Sequence, residues 1–260
     1  MASRINASGA MWTYIGLVLV VLYTPLVPPL LFSVGAVGPG EGGWSFAAYA
    51  QMWSNSLLTG AIGVTLEAGL LVALITPVLG LLAATAVREL RVPRLILLLV
   101  LLPIFVPGVS MGLATSFFFR QLGIAPSLLT IVIVQVVWAL PFATLIILTV
   151  MSGFDPIYLE AAYMSGANRL RAFLDIELPA IRSGLLGAAS FSLILSFNET
   201  IRTALVQGPL NTVQTYIWSA YKQVGLSPVL YALMSLLILL TLGLVGISLG
   251  AGRQPRARPG

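Results

Sequence analysis

The side chains of this 260-residue chain that could do chemistry are few: eight acidic, thirteen basic, and neither cysteine nor histidine. That removes thiolates, disulfides, imidazole bases and nearly every zinc, copper or haem ligand, so no metal site is expected. The acids divide by surroundings. Glu67, and Glu199 with Arg202 three residues on, lie within apolar runs, whereas Asp155, Glu160, Asp175 and Glu177 share one stretch with Arg169, Arg171 and Arg182. A charge at the centre of an apolar span costs at least about 2.5 kcal/mol on insertion scales, so the first set must face protein, a partner chain or water. Two readings stand side by side: these groups line the route of a polar solute, or Glu199 and Arg202 form a structural i, i+3 pair.

The elements that must position these groups follow from composition. With 58% apolar and only 8% charged residues, against about 25% charged in soluble domains, the chain reads as an all-α, polytopic membrane helix bundle. Apolar runs at 11–34, 57–87, 95–118, 126–150, 184–205 and 229–250 predict six spans in one membrane domain over residues 1–260, with no soluble domain. The first run is too long for the apolar core of a signal peptide and is expected to remain as a helix. Pro77, Pro103 and Pro107 interrupt the second and third runs, so those helices are expected to face the bundle or a pathway. Gly108 with Gly112, Gly184 with Ala188, and Gly246 with Gly250 stand at the four-residue spacing that lets helices approach closely.

Alternating the loops puts Arg4, Arg88, Arg91, Arg94, Arg169, Arg171, Arg182, Arg253, Arg256 and Arg258 on one side. Only Arg120, Arg202 and Lys222 fall on the other. The positive-inside rule makes the first side cytoplasmic, with both termini and the Glu160 stretch. Trp44, Trp53, Trp218 and Tyr221 then fall near the outer interface. The basic residues flank apolar runs and do not gather on one face with aromatics, which argues against nucleic acid.

The charged stretch, 151–183, is expected to be in water. Asp155-Pro156 is a helix start, and Gly166 suits a left-handed cap that ends that helix. Asn168 can cap a second helix, which carries Leu170, Phe173, Leu174 and Leu178 at helical spacing until Pro179 ends it. The first helix presents Glu160 beside the small residues Ala161 and Ala162, and small side chains permit close approach by another surface. From spacing alone, an amphipathic loop on the membrane surface and a docking element both fit.

Glu160-Ala161-Ala162, the glycine at Gly166 and Ile176-Glu177-Leu178-Pro179 together resemble the EAA loop of permease subunits in binding-protein-dependent ABC importers of the type I, MetI-like fold. Phe154-Asp155, Ser196-Phe197-Asn198-Glu199 and Gly208-Pro209 followed by Thr212 to Trp218 are similar to the second membrane subunit of spermidine/putrescine-type transporters. The resemblance covers roughly residues 10–250. Ser183 departs from it, standing where many relatives have proline.

The resemblance implies a bacterial inner-membrane permease forming half of a translocation pathway with a second permease subunit. Two copies of a P-loop ATPase would drive it, and an extracytoplasmic binding protein would deliver the solute. Glu160, Ala161, Ala162, Gly166, Ile176, Leu178 and Pro179 are then the ATPase-coupling residues, and Glu67, Asn198, Glu199 and Arg202 the candidate pathway residues. No cofactor is expected on this chain, and ATP and magnesium belong to the partner. The only lysine, Lys222, lies in Ala220-Tyr221-Lys222-Gln223 and not in a P-loop, so the chain is no ATPase. Acidic pathway groups suit a polyamine-like cation; phosphonate, other anions or iron are the alternatives within the class. An ion-coupled secondary transporter would use the same broken helices, but the chain has no evident inverted repeat.

The absence of native cysteine makes single cysteines clean reporters of orientation. Cysteine placed at Gly40 or Asn211 is expected to react with an impermeant thiol reagent on intact cells. Cysteine at Asn168 is expected not to react, and its labelling from outside would reverse the assignment.

Overall fold

The structure, a computed structural model, describes residues 3–35 and 43–251. Gly40, Arg253, Arg256 and Arg258 lie outside the described residues, as does the side chain of Arg4. Among the described residues every regular element is helical. The first are α1 (Ser3–Tyr23), a 3-10 turn (Thr24–Leu26), α2 (Val27–Ser33), α3 (Ala47–Ser54), α4 (Ser56–Glu89), α5 (Pro93–Phe105), α6 (Gly108–Gln121) and α7 (Leu128–Met151). There follow α8 (Ile157–Met164), α9 (Arg169–Ala172), a π turn (Phe173–Glu177), α10 (Leu178–Ala180), α11 (Arg182–Phe197), α12 (Ile201–Ala204), α13 (Val213–Val224) and α14 (Pro228–Ala251).

Three helical segments, Met11–Ser33, Ser56–Glu89 and Leu128–Met151, are long and apolar enough to cross a membrane, or up to five spans if each of two bent pairs counts as one. The sequence reading expects six. Pro228–Gly243 is a shorter apolar stretch. The 34-residue α4 runs unbroken through Pro77. At 1.5 Å per residue it is about 51 Å long, well beyond a hydrocarbon core of about 30 Å.

Two pairs of helices are sharply bent. The run at 95–118 is two helices, α5 and α6, at 105° to one another. Pro103 stays inside α5; the break falls at Pro107, whose ring pushes the preceding Val106 into an extended conformation, φ −84° and ψ 124°. In the second pair, Arg169–Ala180 meets Arg182–Phe197 at 66°. The helix that carries Pro179 ends one residue later, at Ala180, and the π turn before it shifts the hydrogen bonding by one residue, with the Leu178 N–H donating to the Phe173 carbonyl. Pro179 then sits in the first turn of α10, where a missing N–H costs nothing. The run read as 184–205 is helical only to Phe197, and α12 follows as a separate turn.

The chain forms two compact units, Met1–Ser56 with Ala220–Leu242, and Leu57–Ser219 with Gly243–Gly260. In the first, Phe32 stacks on Tyr231 with ring centroids 5.0 Å apart. The buried Ser235 hydroxyl lies within hydrogen-bond reach of two carbonyls, Pro29 at 2.9 Å and Tyr231 at 2.8 Å.

The second unit is built on α7. Ala68 and Val72 of α4 pack with Ile131, Val132, Val136 and Ala139 in one cluster, and Ala84 joins Ala143, Ile147, Met151, Ile181 and Ala188 in another. A buried Gln135 ties α7 to both α11 and α12: its Nε2 donates to Thr203 Oγ1 at 2.9 Å, and Ser196 Oγ donates to its Oε1 at 2.6 Å. Small residues set the spacing. A Cβ at Gly184 would lie 2.9 Å from Val150 Cβ, whereas one at Gly187 on the same helix would meet Ile146 at an ordinary 3.5 Å.

Gly184→Ala is therefore expected to destabilise the purified protein by about 1–3 kcal/mol through overpacking. Gly187→Ala is expected to be neutral or slightly stabilising, since alanine is the better helix former. Thermal unfolding in detergent reads both.

Candidate functional site

The stretch between α7 and α11 is shaped by local capping. Asp155 Oδ1 accepts from the Ile157 N–H at 3.0 Å and starts α8. At the other end Gly166 has φ +86°, and the N–H groups of Gly166 and Ala167 donate to the carbonyls of Tyr163 and Ala162, both at 3.0 Å. This is a Schellman cap, which a residue with a Cβ adopts only under strain. Asn168 Oδ1 accepts from the Arg171 N–H at 2.8 Å and starts α9. The corner anticipated from Asp155, Gly166 and Asn168 is thus formed by hydrogen bonds within a few residues of each.

Within it, Glu160, Ala161 and Gly166 lie on the exposed face and Ala162 is buried. Met164 is 89% exposed, and Ile157, Tyr158 and Leu170 stand out beside it. Ile176 and Leu178 are half-buried, while Pro179 is exposed.

Glu177 is the exception to a solvated loop. It is 1% exposed, and Arg88 at the end of α4 reaches it with both terminal guanidinium nitrogens, Nη1 to Oε1 and Nη2 to Oε2, the second at 3.2 Å. Arg88 Nε also donates to Glu89 Oε1 at 3.1 Å, and Arg169 at the start of α9 donates to Glu89 Oε2. Four side chains of alternating sign therefore run from the π turn, across the end of α4, to α9. They border a cleft of about 750 Å³, lined on one side by Leu81, Leu82 and Thr85 and on the other by Leu159, Tyr163 and Phe173. Arg88 and Arg169 had been legible only as topology signals. The one clue to their pairing is an acid between Ile176 and Leu178, in a run that packs inward.

The four pathway candidates separate in the structure. Glu67 is exposed on α4, and Asn198 is exposed with its amide donating to the Ile194 carbonyl at 2.8 Å. Glu199 and Arg202 are held together. Glu199 is 6% exposed and accepts from the Arg202 N–H at 2.9 Å and from its Nη1 at 2.7 Å. The guanidinium lies 3.7 Å from the centroid of the Trp138 ring, the geometry of a cation–π contact. A Cβ added to Gly108, just past the α5–α6 bend, would lie 3.3 Å from Arg202 Cζ. The charge of Glu199 is thus met by Arg202. Among the described residues, no three or more His, Cys, Asp or Glu side chains are grouped to hold a metal ion.

Comparison with known proteins agrees with this architecture. The family described as "Binding-protein-dependent transport system inner membrane component" matches residues 76–259. The chain is 24% identical over 235 residues to the spermidine/putrescine transport system permease protein PotC of Haemophilus influenzae, covering 87% of this chain and 90% of that one. It is 25% identical over 237 residues to the putrescine transport system permease protein PotI of Escherichia coli K12, covering 87% and 83%. In fold it is similar to a chain of a crystallised bacterial ABC transporter that imports the acidic polysaccharide alginate. There the TM-score is 0.73 and the identity 15%, covering 97% of this chain and 98% of that one.

The buried pair generates a stability prediction. Glu199→Gln leaves the Arg202 charge without its partner and is expected to lower the thermal midpoint. Combining it with Arg202→Gln is expected to restore part of the loss, with a coupling energy of about 0.5–3 kcal/mol in the double-mutant cycle. Strictly additive losses would show that the two side chains do not stabilise one another.

Proposed function

This chain belongs to the family of binding-protein-dependent transport system inner membrane components, and from that premise we propose that it forms half of the translocation pathway of an importer for a polyamine-like cation. It is a non-catalytic permease subunit. In this reading a second permease completes the pathway, an extracytoplasmic binding protein delivers the solute, and two copies of a P-loop ATPase on the cytoplasmic side use ATP and magnesium. Both termini and the α8–α9 corner lie on the ATPase side.

The observation that carries the mechanism is the α8–α9 corner. Its capped glycine turn fixes the direction of two short helices, and its outer surface offers Glu160, the small Ala161 and the exposed apolar Ile157, Tyr158 and Met164. That combination suits docking by a protein surface: small residues allow close approach, and exposed apolar side chains supply area to bury. Ile176, Leu178 and Pro179 shape the descending arm that leads into α11.

A cationic solute is supported by the two relatives named for polyamine transport and by Glu67. A carboxylate on an apolar helix face is too costly to leave in lipid, so Glu67 turns toward the second permease or the water-filled route. Glu199, paired with Arg202, serves the shape of the pathway wall, and Asn198 beside it offers neutral hydrogen bonding.

The test is uptake of labelled spermidine and putrescine into vesicles holding the complete complex with its binding protein. Gly166→Val strains the left-handed corner and Glu160→Lys inverts the charge of the docking face. Both are expected to insert normally and to lose uptake and substrate-stimulated ATP hydrolysis by about tenfold or more, the equivalent of about 1.4 kcal/mol. Wild-type hydrolysis and uptake in both variants would remove the corner as the coupling element, and wild-type complexes that import neither cation would remove the substrate class.

A further inference from the structure

The ion chain at the end of α4 does more than neutralise a buried acid. Between α4 and the α8–α9 corner lies the open cleft of about 750 Å³, so the apolar sides facing each other there are incompletely packed. Dispersion contacts fall off within an ångström of gap and impose little direction. A fork of two N–H groups on one carboxylate is directional and short. Arg88 makes that fork to Glu177 in the π turn, and Glu89 extends it by holding Arg88 Nε with one oxygen and Arg169 with the other. The second arm of the corner, from Arg169 at its start to Glu177 in the π turn, is thereby tied at two points to two consecutive residues of one helix, over sequence separations of 89 and 80 residues.

We infer that Arg88 and Glu89 are positioning residues that carry displacement of the docked corner into α4. The inference rests on the reading of the corner as the ATPase-docking element. When the corner moves, the fork moves the end of α4 with it, and a continuous 34-residue helix passes that motion to its far half, where Glu67 stands. The exposure left to the link fits this role. Arg88 and Glu89 side chains each retain 35% of their surface, whereas Glu177 retains 2%. The connection is anchored at one end and able to pivot at the other.

The experiment uses the complete complex in vesicles and measures uptake per ATP hydrolysed, which a purely structural role does not change. Arg88→Lys keeps the charge opposite Glu177 but loses the fork, and Glu89→Gln removes the bridge at a half-exposed position. Both are expected to assemble and to hydrolyse ATP at near wild-type rates, while solute imported per ATP falls by about fivefold or more, the lower range of coupling between sites. An unchanged ratio in both variants overturns the inference, as does a proportional fall of hydrolysis and uptake. Gly166→Val separates this from failure of the docking reading. If it abolishes hydrolysis while the Arg88 and Glu89 variants keep the wild-type ratio, docking stands and only transmission through α4 is removed; if all three behave as wild type, the docking reading itself has failed.

Discussion

A charge removed from water has to be met by an opposite charge or returned to water, and that cost orders this chain. Of the acids placed inside the fold, Glu177 and Glu199 are each met by one arginine, through a fork in the first case and through a side-chain contact with a backbone bond in the second. Both pairs sit where helices are interrupted. Glu177 ends the π turn above the 66° bend, and Glu199 lies between α11 and α12, with Arg202 against the first residue of α6 beyond the 105° bend. Interruptions free backbone groups and create space, and the same space admits a guanidinium. Replacing such a pair with packed apolar groups would often be neutral in stability, but removing one partner strands the other.

How much of this was legible in the sequence depends on range. The corner was legible because its causes are local: Asp155, Gly166 and Asn168 each act on backbone groups within three residues, and turn chemistry of that kind is carried by residue type. The membrane class followed from composition. The pairing of Arg88 with Glu177 was not legible, because nothing in either neighbourhood names a partner 89 residues away. The π turn ahead of Pro179 was not legible, because a shift of the bonding frame by one residue leaves no compositional mark. Pro103 and Pro107 looked alike in sequence, yet the helix continues through the first and breaks at the second. The contact between Glu199 and Arg202 was one of two options that their spacing left open, and the third participant, Trp138, is invisible without the fold.

Close packing supplies what the hydrophobic effect cannot supply between helices in lipid. Gly80 against Ala143, Gly112 against Leu205 and Gly184 against Val150 bring backbones near enough for dispersion to act. The buried Gln135 then fixes register, since its amide satisfies Ser196 and Thr203 only in one alignment of α7 with the chain around α11. Gly108 with Gly112 and Gly184 with Ala188 follow the spacing noticed in the sequence: Gly108 faces the Arg202 side chain, Gly112 the Leu205 side chain and the Arg202 backbone, and Gly184 the Val150 side chain.

The π turn has a consequence in helical phase. Phe173–Glu177 holds one residue more than an α-helical path of the same rise, so every side chain after it is rotated by about 100° from where an uninterrupted helix would put it. Glu177 is aimed at α4, and Ile181 into the core with Ile147, only because of that extra residue. In this segment length and direction are one variable: losing a single residue between Arg169 and Ile181 would shorten the arm by little and turn its buried face outward.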